Sequence, residues 1–125
     1  MKDIIYKKKG VSVEMEKEFI KKIRKSVQLS KTILTIIRLI RRGRTSITPA
    51  ELVTCFGKKF APTKDYGRAY TILRNLEMEE LLRKDEGAGV FRFVKNDGNF
   101  AAEVYEKDAK ECLKNAGWDI EEPEL

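Results

Sequence analysis

Histidine is absent from the 125-residue chain, cysteine occurs twice, and Gln28 is its single glutamine. Without histidine the commonest general base is missing, and so is the imidazole half of a mixed Cys/His zinc site. Cys55 and Cys112 alone are too few and too far apart for a metal. Each falls on the expected apolar side of a helix, where a buried thiol is the plain reading, with a disulfide between them left open. No apolar run approaches about 18 residues, which excludes an ordinary membrane-spanning helix. The opening residues Met1 to Lys7 lack the apolar stretch and cleavage site of a secretory signal, so a cytoplasmic protein is expected. Gly-rich phosphate loops of the P-loop or dinucleotide type are also missing, and the carboxylates sit in exposed helical runs such as Glu77-Met78-Glu79-Glu80. The expectation is a non-enzyme with no cofactor and no metal.

Charge is what the sequence has in quantity, at 37% of residues. Lysine and glutamate dominate while heat-labile amides are few, a thermophile-like balance. The charge is unevenly placed: residues 1–47 carry 14 basic and 4 acidic side chains, residues 48–94 carry 8 and 7, and residues 95–125 carry 4 and 9. The segment balances are +10, +1 and −5. A basic first third favours a polyanionic partner, although a solvated lysine-rich surface has the same composition.

The best-marked stretch runs from Thr48 to Val94. Thr48-Pro49-Ala50-Glu51 combines a capping Thr, a Pro at the first helical position and a Glu three residues after the cap, a capping box that starts a short helix. Leu52, Val53, Cys55 and Phe56 form its apolar side, and Gly57 suits its end. A second cap, Thr63, opens a helix spanning residues 64–78, whose core face is Ala69, Ile72, Leu73 and Leu76. Lys64, Arg68, Thr71 and Asn75 lie on the opposite side, flanked by Arg74. The pattern then changes period: residues 82–94 read as a two-stranded hairpin that turns through Asp85 to Gly89.

Upstream, Ile4 to Tyr6 and Val11 to Met15 read either as a small hairpin or as an irregular basic arm. Met15, Phe19, Ile23 and Val27 then repeat every four residues on a charged helix. Ser26 or Ser30 breaks it from the next, unless the two form one bent helix. Lys31 to Arg42 is the first core helix, apolar around so much of its circumference (Ile33, Leu34, Ile36, Ile37, Leu39, Ile40) that something must pack on its second face. Arg38, Arg41, Arg42 and Arg44 cluster at its end, where they complement the helix dipole or clamp a phosphate. Thr45-Ser46-Ile47 could add a third strand to the hairpin. Beyond it, Asn96 to Asn99 is a turn, and Phe100, Val104, Tyr105, Cys112 and Leu113 mark a C-terminal helix ending near Gly117. The acidic tail is expected to be loose except where Trp118 or Ile120 docks.

Residues Ile72 to Lys84 resemble the winged helix-turn-helix pattern in which a recognition helix ends LxxLExxGLLxR and runs into the first wing strand. The likeness covers roughly residues 30–94 and belongs to the superfamily. Where many such domains have Gly, this chain has Glu80, so a left-handed exit there would be strained. The resemblance implies a winged helix-turn-helix domain over 30–95 in an α+β, mainly helical fold, to which the residue patterns add a basic N-terminal arm and helix over 1–29, a C-terminal helix over 96–117 and an acidic tail over 118–125. It also implies a double-stranded DNA partner, a nucleoid-associated location and a role as transcriptional regulator. By that analogy Lys64, Arg68, Thr71 and Asn75 would read bases, with Arg68 first because arginine to guanine is the commonest specific contact. Lys58, Lys59, Arg74, Arg83, Lys84, Arg92 and Arg44 would hold the DNA backbone or, from the wing, a minor groove. A homodimer is expected, with Met15, Phe19, Ile23 and Val27 at its interface and the acidic third facing the partner's basic third. The other reading is a protein-interaction module anchored by Tyr66, Tyr70 and Trp118, since winged domains also serve as scaffolds.

Overall fold

The computed structural model describes residues 13–56 and 66–118. Its elements are α1 (Val13–Lys25), α2 (Val27–Arg41), β1 (Ser46–Ile47), α3 (Pro49–Phe56), α4 (Tyr66–Met78), β2 (Leu82–Asp85), β3 (Val90–Phe93), β4 (Lys95–Asn96), β5 (Asn99–Phe100), a 3-10 helix (Ala101–Tyr105) and α5 (Glu106–Asn115). The class is α+β and mainly helical, as expected. Residues 1–12, where the hairpin-or-arm alternative fell, lie outside the described residues, except that Val13 to Met15 are helical and not strand.

Ser26 separates α1 from α2. Its extended backbone (φ −126°, ψ 108°) takes it out of both helices, and its Oγ accepts the Leu29 N–H at 3.0 Å as an N-cap. Ser30 plays a different part: its buried hydroxyl donates at 2.7 Å to the Ile23 carbonyl, which also accepts the Ser26 N–H at 3.2 Å where α1 ends. The first core helix therefore starts at Val27, four residues before the expected Lys31. Burial surrounds α2, taking in Ser30, Thr32, Ile33, Thr35, Ile36, Ile37 and Leu39. Thr32 and Thr35 are tolerated there because each hydroxyl donates to a carbonyl one turn back, at 2.8 Å. α1 and α5 supply the cover for the second face of α2 that its apolar circumference required.

The three-stranded sheet has the order β1-β3-β2, antiparallel throughout, with Ile47 opposite Phe91 and Leu82 opposite Phe93. Side chains alternate across a strand, so Phe91 and Phe93 point together into the core while Arg92 stays outside. Ser46–Ile47 is the third strand anticipated from Thr45-Ser46-Ile47. A second, two-stranded ribbon pairs β4 with β5 around Asp97 and Gly98, whose φ values of 52° and 85° make a two-residue hairpin turn. The chain then enters the 3-10 helix instead of continuing directly as an α-helix. This shifts the apolar face: Val104, assigned to the core side, is exposed, while Ala102, Tyr105, Ala109, Cys112 and Leu113 are buried.

Three helices end in one way, with paired backbone bonds around a left-handed residue. At α2 the Gly43 N–H reaches Ile40 O and the Arg44 N–H reaches Leu39 O; at α5 Gly117 and Trp118 bond Lys114 and Leu113. At α4 the same pair runs from Glu80 to Glu77 (2.9 Å) and from Leu81 to Leu76 (3.0 Å). Glu80 takes φ 66° there, so the left-handed exit falls on Glu80 itself. Leu81 and Leu76 are both buried in the same apolar core.

Candidate nucleic-acid interface

The surface in question is built by α4 and the β2–β3 hairpin. Ala69, Leu73 and Leu76 are the buried line of α4. Helical spacing then sets Gly67, Thr71, Arg74 and Met78 outermost, with Arg68 and Asn75 on one flank and Tyr70 on the flank nearer the hairpin. Arg74, expected to flank the face, is thus at its centre. Arg68, on α4, and Arg83, on β2, are exposed and without a side-chain partner among the described residues. Thr71 is exposed, but its hydroxyl is turned back onto the helix, donating to Gly67 O at 3.0 Å. Asn75 is exposed at the rim of a cleft of about 330 Å³ shared with Lys22, Ile72 and Met78. Lys58, Lys59 and Lys64 lie outside the described residues.

Two of the three hairpin cations, Lys84 and Arg92, are held rather than free. Arg92 stands directly opposite Arg83 in the β2–β3 register, and like charges in that position repel. Its guanidinium instead meets Asp85 through Nε and Nη2, both 2.8 Å from Oδ2. That partner first, and then the Ala88 N–H at 3.2 Å, holds the Asp85 carboxyl below its usual range. Lys84 has only 20% of its side chain exposed. Its Nζ donates to the Tyr70 hydroxyl at 2.9 Å and lies 4.8 Å from the Tyr70 ring centroid and 5.9 Å from that of Phe91. Arg74 reaches the same hydroxyl at 3.4 Å and Glu77 at 3.3 Å. The lysine, then the arginine, lower the Tyr70 phenol below its ordinary value.

Arg44 does not join this surface. It pairs with Glu51, whose other oxygen accepts the Thr48 N–H at 2.9 Å while Thr48 Oγ1 accepts the Glu51 N–H at 3.1 Å. The capping box is therefore complete, and Arg44 braces its carboxylate instead of projecting toward a phosphate. Glu77, read from the sequence as part of an exposed carboxylate run, accepts the Lys84 backbone N–H at 3.2 Å and so ties α4 to β2. Neither that bond nor the Tyr70 hydroxyl was anticipated; the helical spacing of Tyr70, Arg74 and Glu77 was the available signal.

The stripe assigned to a dimer interface is covered within the chain. Phe19 and Ile23 are 3% and 0% exposed, with the Phe19 ring edge-on to Tyr105 at 4.9 Å between centroids. Val27 packs against the same core, and the Met15 side chain lies outside the described residues. The basic and acidic thirds also meet inside one chain. Arg24 bonds Asp108 at 2.8 and 3.0 Å, and Arg41 grips Glu106 through two bonds of 2.7 and 2.9 Å. Both thirds sit on adjacent packed helices, which is why they do not need a second subunit to pair. Both cysteines are free and buried, and burial pushes the Cys55 thiol up to about 11. Among the described residues no group of acidic or cysteine side chains could hold a metal ion, and no helix is long and apolar enough to cross a membrane. In comparisons with known proteins, no family model, curated protein or solved structure matches this chain.

Proposed function

We propose that the chain is a winged helix-turn-helix protein that binds double-stranded DNA and regulates transcription, with α4 in the major groove and the wing of residues 82–94 along the backbone or minor groove. One observation carries this reading. The order α2, β1, α3, α4, β2, β3 with a β1-β3-β2 sheet leaves the outer face of α4 exposed beside a hairpin bearing Arg83, Lys84 and Arg92. A polar helix face flanked by a cationic hairpin matches a groove and its two phosphate rails. Arg68, exposed and unpartnered among the described residues, is the base reader we assign; Arg83 is the freest backbone contact.

A titration of the protein into a random-sequence duplex across salt concentrations tests the proposal. Binding should weaken with salt on a log–log slope of about −0.9 per neutralised phosphate. Absence of binding at low salt would remove the DNA reading. It would favour a protein-interaction module, for which the specific support is apolar exposure on the same helix: Tyr66 at 61% and Met78 at 72%.

A further inference from the structure

Tyr70 lies between two cations, and among the described residues its own hydrogen meets no acceptor. The phenolic oxygen accepts from Lys84 Nζ at 2.9 Å and from Arg74 Nη1 at 3.4 Å, which occupies its acceptor capacity. Any further partner must accept the phenol hydrogen. Beside an ammonium and a guanidinium, the favoured acceptor is an oxyanion. The cluster is also built in place: the Tyr70 ring stands edge-on to Phe91 at 5.7 Å, Lys84 lies over both rings, and the Lys84 backbone is tied to Glu77.

We propose that Tyr70, Lys84 and Arg74 form a seat for one phosphate group of the duplex backbone, at the junction of α4 and the wing. The seat rests on the DNA-binding reading for the identity of its ligand, but its geometry stands by itself. Two carboxylates compete for it and differ in kind. Glu77 is held by the Lys84 N–H and by Arg74, and stays in place. Glu86 is 82% exposed and only 3.5 Å from Lys84 Nζ, so it is the group an entering phosphate displaces. In this role Tyr70 donates to the ligand and also positions Lys84, which would otherwise be free to swing into solvent.

The test uses the full chain and three substitutions. Tyr70→Phe keeps the ring packing and both charges; it is expected to lower duplex affinity on the order of fivefold with the salt slope unchanged. Lys84→Gln is expected to reduce the slope by about 0.9. Glu86→Gln is expected to raise duplex affinity several-fold in the parent chain and not in Lys84→Gln, a dependence that a merely structural lysine would not produce. Independently of DNA, inorganic phosphate titrated into protein with 13C-labelled tyrosine should move one tyrosine ring signal, the one lost in Tyr70→Phe. Duplex binding that ignores all three substitutions overturns the seat and leaves the DNA reading intact. A phosphate-dependent Tyr70 shift without duplex binding keeps the seat and overturns the DNA reading. No Tyr70 shift and no duplex binding overturn both.

Discussion

Glu80 holds φ at 66°, where a Cβ crowds the backbone, while the two other helices that end this way use Gly43 and Gly117. Glu80→Gly should therefore stabilise the fold by about 0.5–1 kcal/mol, the relief of strain being partly offset by the greater freedom of an unfolded glycine. A higher urea midpoint at unchanged slope would bear this out, and an unchanged or lower midpoint would count against it. The position was legible from the winged-helix pattern, but whether the chain would yield there or absorb the strain was not; buried Leu76 and Leu81 hold the exit in place. Arg68 and Arg83 make a contrasting pair. Arg68→Ala should cost ~1–3 kcal/mol on a preferred duplex and relax base preference, while Arg83→Ala should weaken every duplex alike. Competition binding against a panel of sequences separates them; equal losses on all sequences from both changes would remove the base-reading role of Arg68.

Among the elements, α3 has a start set on both sides by local sequence, because Thr48 and Glu51 satisfy each other's N–H groups. Thr48→Ala should cost about 1 kcal/mol in denaturant unfolding, with loss below a few tenths showing that Arg44 and Glu51 suffice. The α2–α5 contact depends on a partner 65 residues away. Arg41 first, then Lys110, hold the Glu106 carboxyl down at about 2 from its ordinary 4.5. A depressed carboxylate stabilises the fold above its unfolded value, and that contribution is lost as pH falls from about 4.5 to about 2. Both side chains remain partly in water, so we expect roughly 1 kcal/mol of this loss, absent in Glu106→Gln. Thermal melts at pH 7 and pH 3 read it; an identical pH dependence in the variant would mean that the pair contributes nothing. Capping, core periodicity and the hairpin could be read from the sequence because they are set by neighbours a few residues apart. The pairing of Arg92 with Asp85, of Lys84 with Tyr70 and of Arg24 with Asp108 could not, since each depends on strand register or helix packing.

Across the whole molecule, the closure of α1 and α5 over α2 changes what a disruptive substitution should do. Phe19→Asp places a charge beside Tyr105 in a dry core, so it should unfold the chain by several kcal/mol rather than split a dimer. Sedimentation equilibrium with circular dichroism distinguishes the two outcomes. A folded variant with half the parent mass would restore the dimer seam, whereas loss of helix from a parent sedimenting near 14.4 kDa would place the stripe in the monomer core. The helix period alone showed that Phe19 and Ile23 are buried; it carried no information on whether the cover comes from the same chain.

The single bond from the Lys84 N–H to Glu77 bears on the heat of association. With α4 and β2 fastened at that point, the helix and hairpin behave as one stiff jaw, and a partner meets a surface that is already ordered. Entropy spent on folding a loop around the ligand is then small. Calorimetry should show a heat-capacity change set by the surface covered, without the larger fall that accompanies a segment folding as it binds. In Glu77→Gln, which weakens the fastening, the fall should deepen, while Glu86→Gln should leave it as it is.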